Sequence, residues 1–375
     1  MNRRWICGDV WMDILPSFDR PQLGLKLALL SDRFDALVDK HFDGKSELTI
    51  WNTIRIRKDE EPKANDIRPK AKLSEWFDGD MVQFPFPDRP LPNKIRFKDL
   101  QIDYIDHSVI EFLRSNKPIW DRMGTNLELD VRSGKTEDVQ QIWDVLASQI
   151  WPIFATNIRQ LYFPNANHLD NLRRRISPTI LTDLDQLYSI NSRLLCPDAI
   201  GDDGPNTTAG QVLSKWLHTP SKNGQPKRFR RNNYLRSPNL EWVNNFKEVG
   251  RHIFVNCFLF YQFFVQRFRH ATTSVSYNIQ LYFYATTMQI EQFELVNKVT
   301  KEKLTLKQNI EESIELEYNW LLQRCPIGET APIKFDPLYG NDSLANFNSV
   351  RFELGGKHCI GSLSPPAVEE EEELD

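Results

Sequence analysis

The sequence predicts an α+β protein in three parts. A three-helix N-terminal module comes first, then irregular β–α units of leucine-rich-repeat-like spacing, then a β-rich C-terminal region. Three observations predict it. Apolar residues recur at helical spacing from Val10 to Val38. Strand-like centres near residues 102, 129, 161 and 187 alternate with helical stretches, at intervals of about 30 residues. Beyond residue 257 the chain turns to short runs rich in Val, Ile, Tyr and Phe separated by turns.

In Val10-Trp11-Met12-Asp13-Ile14-Leu15-Pro16-Ser17-Phe18 the apolar positions 10, 11, 14, 15 and 18 follow the helix period, and Pro16 ends or bends the helix. Asp19, Pro21 and Gln22 signal a second start, with Asp19 as cap and Pro21 in the first turn. Leu23, Leu27, Leu30, Phe34 and Leu37/Val38 step by three and four, and Ser31-Asp32 opens a third helix. Leu48 to Arg57 reads as a strand, with Ile50, Ile54 and Ile56 on one side. Residues 58–93 carry charge and many prolines. They read as a long linker, with one short element near Trp76-Phe77.

From residue 94 strand and helix alternate. Ile95 to Ile102 precedes a helix from Asp106 to Asn116; Asn126 to Val131 precedes one from Thr136 to Ile150; Ile158 to Phe163 precedes one from His168 to Ile176; Leu184 to Tyr188 precedes one from Ala209 to Leu217. Residues 222–231 read as a basic loop, and Leu240 to Ile253 as a helix. Strands are expected at Cys257 to Phe264, Tyr277 to Ala285, Phe293 to Lys298, Glu302 to Lys307 and Ile314 to Gln323, with a hairpin turn over 297–302 and an edge strand over 349–354. Glu369 to Glu373 is an acidic tail. The resulting segments are 1–45, 46–93, 94–245, 246–366 and 367–375.

The chemistry-bearing residues do not assemble into a catalytic signature. The five cysteines lie far apart, which suits reduced thiols in a cytoplasmic or nuclear protein. Charges at Asp9 and Asp13 break any secretory apolar run, and no stretch of 18 apolar residues predicts a membrane span. No phosphate-binding glycine loop, nucleophile elbow or metal-binding histidine pair is present. Asp106-His107 resembles the start of a dyad, but an Asp at that place also caps a helix. Gly355-Gly356-Lys357-His358 reads as a surface turn. Lys222, Lys227, Arg228, Arg230 and Arg231 read as a solvated loop, with an import signal or a nucleic-acid contact as the other readings. The net charge of −4 argues against nucleic acid as a partner.

The first 45 residues carry more apolar faces than three short helices can close on each other. Leu23, Leu27, Leu30 and Phe34 form one stripe; Leu25, Ala28 and Leu29 form another; Val10, Trp11, Ile14 and Leu15 add a third. The surplus must meet the rest of the chain or a partner.

Ile14 to Leu23, followed by Leu27-Ala28-Leu29-Leu30-Ser31-Asp32-Arg33-Phe34-Asp35-Ala36-Leu37-Val38-Asp39, resembles an F-box, with Leu30-Ser31-Asp32-Arg33-Phe34 standing for its Val-Ser-x-Arg-Trp element. The chain is most similar in layout to nematode F-box proteins, where the motif opens the chain. The stretches from Phe293 to Lys298 and from Asn319 to Gly328 also resemble the C-terminal part of those proteins. The resemblance implies a non-enzymatic substrate receptor of an SCF-type ubiquitin ligase. It would dock on the SCF adaptor, and through it on cullin, and bind a target protein with its C-terminal region. The docking residues it implies are Val10, Trp11, Ile14, Leu15, Pro16, Leu29, Leu30 and Phe34. It implies no cofactor and no metal. The alternative is an interaction scaffold without adaptor contact, since Cys7-Gly8-Asp9-Val10 replaces the Leu-Pro that opens the motif.

Overall fold

The structure is a computed structural model. It describes residues 7–18, 23, 27–43, 49–59, 71–77, 80–84, 86–87, 90–91, 95–132, 136–193, 195–222, 224–231, 262–284, 291–309, 317–328, 349–355 and 359–364. The helix starts expected at Asp19 to Gln22 and at Leu240, the turn at 356–358 and the acidic run 369–373 lie outside them. The protein is a mixed α+β structure. In chain order its strands are β1 (Thr49–Lys58), β2 (Ala71–Phe77), β3 (Asp80–Phe84), β4 (Ile95–Ile102), β5 (Thr125–Val131), β6 (Ile158–Phe163), β7 (Ser189–Ser192), β8 (Lys227–Arg231), β9 (Tyr277–Tyr284), β10 (Phe293–Asn297), β11 (Glu302–Asn309), β12 (Glu317–Pro326) and β13 (Ser349–Leu354).

The chain forms two compact units. The first comprises Met1–Thr125, Asp130–Phe154 and Asn346–Asp375; the second comprises Asn126–Leu129 and Ala155–Ala345. In the first unit the strand order is β3-β2-β1-β4-β13. β1 runs antiparallel to β2 and parallel to β4, and β13 runs parallel to β4. The register stacks Leu73, Ile56, Ile102 and Phe352 in one row across four strands, and all four are buried. Cross-strand rows of this kind are what hold a sheet in one register.

Helices His107–Ser115 and Lys117–Met123 and the helical run over residues 136–154 also belong to the first unit. The Trp120 ring stacks on Phe97 at 5.4 Å and meets Phe154 at 5.9 Å, and its Nε1 donates to Leu113 O. A buried indole with its one donor satisfied combines apolar area with no polar penalty.

Two expectations fail in this unit. The linker over 58–93 contains β2 and β3, which extend the sheet from β1. Prolines 62, 69, 85, 87, 90 and 92 flank these strands and do not interrupt them, so composition averaged over the window hides a period-2 pattern at Ala71 and Leu73. β13 is not an edge strand. One side pairs with β4, and on the other Arg132 N donates to Leu354 O at 2.7 Å.

In the second unit β6, β7, β8 and β9 lie side by side, parallel and in chain order. An antiparallel meander, β9-β12-β11-β10, completes it. Helices Ala166–Arg175, Ile180–Asp183 and Ala209–His218 lie in the connections. The last has a complete capping box, with Thr208 Oγ1 accepting from Gln211 N and Gln211 Oε1 accepting from Thr208 N.

Three expectations fail in this unit. The strand expected over Leu184 to Tyr188 is a turn, with Leu187 N donating to Leu184 O, and β7 starts at Ser189. Leu184 and Leu187 are both buried, but their spacing of three belongs to a turn. The C-terminal half of the basic loop is β8. Its Lys227, Phe229 and Arg231 alternate into the interior. Residues 262–269 are helical, where the reading expected strand up to Phe264. Phe264 and Phe268, four apart, are the buried pair of that helix. A short apolar run does not distinguish buried strand from buried helix.

The 209–218 helix starts hard against the preceding loop. A methyl on Gly210 would lie 2.6 Å from Cys196 O and 2.9 Å from the Asp198 carboxyl. Alanine would gain about 1 kcal/mol in helix propensity. Overpacking against backbone costs about 1–3 kcal/mol and wins. Gly210→Ala is therefore expected to lower the thermal midpoint by several degrees, read by circular dichroism; an unchanged or raised midpoint would show that the loop yields. No described helix is long and apolar enough to cross a membrane.

Candidate functional site

The N-terminal module is built on helix Gly8–Ile14, the turn Leu15–Ser17, the turn Ala28–Leu30 and helix Asp32–Asp43. Pro16 sits in the turn that ends the first helix, where its missing N–H removes no helical hydrogen bond. Ser31 opens the last helix, its Oγ accepting from Phe34 N and its carbonyl from Asp35 N. Asp32 and Asp35 in the first turn and Lys40 and His41 in the last both suit the helix dipole.

Leu15, Leu23, Ala28 and Val38 form a closed core, with Met12, Phe18, Leu27 and Leu37 packed around it. Leu15 is fully buried, which corrects its assignment as a docking residue. Its side chain holds the module together and is out of a partner's reach. The other proposed residues divide by exposure. Val10 is 48% exposed and Leu30 65%. Pro16 is exposed, while Trp11, Ile14 and Phe34 are half-buried. Leu29 lies in the turn Ala28–Leu30, and its side chain is outside the described residues.

Trp11 and Phe34 meet edge to face, with centroids 4.9 Å apart and planes at 84°. This pair ties the first helix to the last and leaves both rings half in water. Val10 and Ile14 are four residues apart on the first helix, so they share one face. The module thus leaves Val10, Pro16 and Leu30 exposed and Trp11, Ile14 and Phe34 half-buried outside its core of Leu15, Leu23, Ala28 and Val38. The sequence reading missed which stripe turns inward. Helical spacing marks a face as apolar but not as inner or outer.

The dyad candidate resolves as a cap. Asp106 Oδ1 accepts from Val109 N at 3.0 Å and from Ser108 Oγ at 2.6 Å, at the start of helix His107–Ser115. Burial, with the Asp106 carboxylate nearby, pushes the Tyr104 phenol up to about 12.

The densest ionisable cluster is in the second unit. Glu302 Oε2 accepts from Arg324 Nη2 at 2.6 Å and from Arg324 Nε at 3.1 Å, and both side chains are buried. Glu302 Oε1 accepts from Ser274 Oγ and Val275 N, and Arg324 Nη2 also donates to Thr273 O. The His218 ring lies against Phe264 and Tyr277, and burial, with Arg267 next in importance, brings it down to about 3. Burial lowers Lys227 to about 8; its Nζ donates to Trp216 O and Thr219 O at the end of the 209–218 helix. These groups spend their polar atoms on protein partners, as a structural network does. Among the described residues no three His, Cys, Asp or Glu side chains converge to hold a metal ion.

No protein-family model matches the chain, and neither the curated proteins nor the solved structures include a similar one.

Proposed function

We propose that the chain is a substrate-binding subunit of an SCF-type cullin–RING ubiquitin ligase, docking on the adaptor through its N-terminal helices. One observation carries the reading. The module closes a core of its own and still presents Val10 and Leu30 to water beside the half-buried Trp11–Phe34 pair. A surface of this kind is what an F-box offers an adaptor, and the order of its residues follows the F-box pattern. The β–α units, with β6 to β9 parallel and in chain order, fit the leucine-rich-repeat-like arrangement of a receptor's recognition part. A receptor works by proximity. Holding the target near a ubiquitin-loaded enzyme makes the transfer effectively intramolecular, with no catalytic residue of its own.

The test is capture of the purified adaptor by the full chain. Burying Val10 and Leu30 in an interface is worth about 1.5–3 kcal/mol each. The double variant Val10→Glu, Leu30→Lys is expected to weaken capture at least tenfold and leave the melting curve unmoved, since both side chains are exposed in the free chain. Leu15→Asp is expected to lose both capture and the fold of the module. No complex between the unmodified chain and the adaptor at micromolar concentration would overturn the ligase reading in favour of a scaffold without adaptor contact.

A further inference from the structure

Three of the seven large apolar side chains exposed among the described residues sit at one end of the β10-β11-β12 meander. Val296 (54% exposed) is near the end of β10, and Val299 (73%) lies in the turn that follows. Ile327 (53%) follows β12, and its N–H donates to Lys301 O in that same turn. The turn is tightly built. Buried Asn297 accepts at Oδ1 from Val299 N (2.8 Å) and Thr300 N (3.2 Å), and donates from Nδ2 to Phe268 O (2.7 Å) and Ala271 O (3.0 Å). Lys301 closes the turn at φ 56°. Single exposed aliphatics need no explanation, but a group of them held out by a pinned turn does.

The strand beside them ends its sheet. β10 pairs with β11 from Phe293↔Leu306 to Asn297↔Glu302, and no described strand pairs with its other side. An edge row of peptide groups is a template for one more strand. Charge decides which strand. Lys298 and Lys301 are exposed in the turn, and half-buried Lys303 stands opposite Val296. Glu302, between Lys301 and Lys303 in sequence, is taken by Arg324. Two copies paired in parallel would bring lysine against lysine, and two paired antiparallel would set only Lys298 towards Glu294, one charge pair where an acidic strand would meet three lysines. An acidic strand is the complementary occupant. Exposed Glu294, toward the other end of β10, repels acid there and so favours carboxylates at the lysine end.

We propose that the β10 edge, with Val296, Val299, Ile327 and the three lysines, binds an extended segment of a partner protein rich in Asp and Glu by strand addition. On the face that Val296 shares with Lys303, its aliphatic residues rest on the patch and its carboxylates alternate with them to meet Lys303 and the turn lysines Lys298 and Lys301. In a ligase receptor this edge would take the target, but the binding itself needs no adaptor.

Fluorescence anisotropy on the full chain, without adaptor, tests this with three labelled peptides. One repeats Val-Val-Glu-Glu, so that each face carries both residue types, one repeats Val-Val-Lys-Lys, and one is the glutamate peptide N-methylated at every residue so that neither edge can extend a sheet. The glutamate peptide is expected to bind at least tenfold tighter than the other two, and more weakly as salt is raised. The variants Lys298→Glu with Lys303→Glu, and Val296→Ser with Val299→Ser, are expected to lose at least tenfold with unchanged melting curves and unchanged adaptor capture. No binding, equal binding of the glutamate and lysine peptides, undiminished binding of the methylated peptide, or full binding by either variant would overturn the proposal. None of those results touches the adaptor reading, which is scored by capture alone.

Discussion

Arg324→Met is expected to destabilise the second unit by about 3–5 kcal/mol. The argument rests on what is left behind. Arg324 supplies two hydrogen bonds to Glu302 Oε2, and both side chains are buried. Removing the guanidinium strands a carboxylate inside the protein with only Ser274 Oγ and Val275 N for partners. It also removes the donor to Thr273 O and the cation over the Phe268 ring. The pair links β11 to the segment entering β9, so β9, β11 and β12 are expected to lose amide-exchange protection together. The double variant Glu302→Leu, Arg324→Met separates net worth from the cost of an orphaned charge. It is expected to recover much of the loss, because two apolar side chains replace a desolvated pair. Urea unfolding of the three proteins gives both numbers. A loss under 1 kcal/mol for Arg324→Met alone would mean that water reaches Glu302.

The buried pair also explains part of what the sequence concealed. Interior strands are recognised by apolar alternation, and β8 reads Lys227-Arg228-Phe229-Arg230-Arg231. Lys227 and Arg231 occupy interior positions and reach partners elsewhere in the chain. Lys227 bonds Trp216 O and Thr219 O, and Arg231 Nη1 reaches Cys196 Sγ at 3.4 Å. Trp216 and Thr219 lie 11 and 8 residues from Lys227 and Cys196 lies 35 from Arg231, but only the fold brings them against the strand and reveals that a basic segment can be core. Lys222, paired with exposed Asp185, and Arg228 are the basic residues of that segment that are exposed.

Elements whose signal is local were legible. The cap at Asp106, the helix opened by Ser31, β6 and the 297–302 turn fall where their residues place them. Elements set by long-range pairing were not. β2 and β3 form because β1 offers an edge, and β13 is sandwiched because its chain returns beside β4 from more than two hundred residues away. The surplus of apolar faces in the N-terminal module was legible, and six of the eight residues named from it are exposed or half-buried. The inward stripe was not, because Leu15 and Ile14 are neighbours in one helical pattern and only packing against Leu23, Ala28 and Val38 tells them apart.

Acid is expected to weaken the second unit through His218. Its Nδ1 lies 2.8 Å from Ser214 O, which can only accept, so the ring is the neutral Nδ1–H tautomer or the cation. Phe264 and Tyr277 flank the ring, and Arg267, Arg324 and Lys227 add positive charge around it. Burial and those cations hold its pKa at about 3, against 6.5 in an unfolded chain. The folded state therefore refuses a proton that the unfolded state takes up below pH 6.5. Stability from this site is complete above about pH 6.5 and drains away as pH falls towards 3. Between pH 6.5 and 4.5 the loss is about 2–3 kcal/mol, at 1.36 kcal/mol for each pH unit. Asp99, in the first unit, works in the opposite sense: burial raises its pKa, so the folded state there takes up its proton more readily than the unfolded chain does. The comparison that isolates His218 is His218→Phe, which keeps an aromatic ring between Phe264 and Tyr277 and leaves Ser214 O its helical partner. The urea midpoint of the histidine protein should fall relative to that of His218→Phe as pH drops from 6.5 to 4.5, because only the histidine protein loses stability to this site. Parallel declines would place the acid sensitivity elsewhere and would mean that the His218 ring meets solvent.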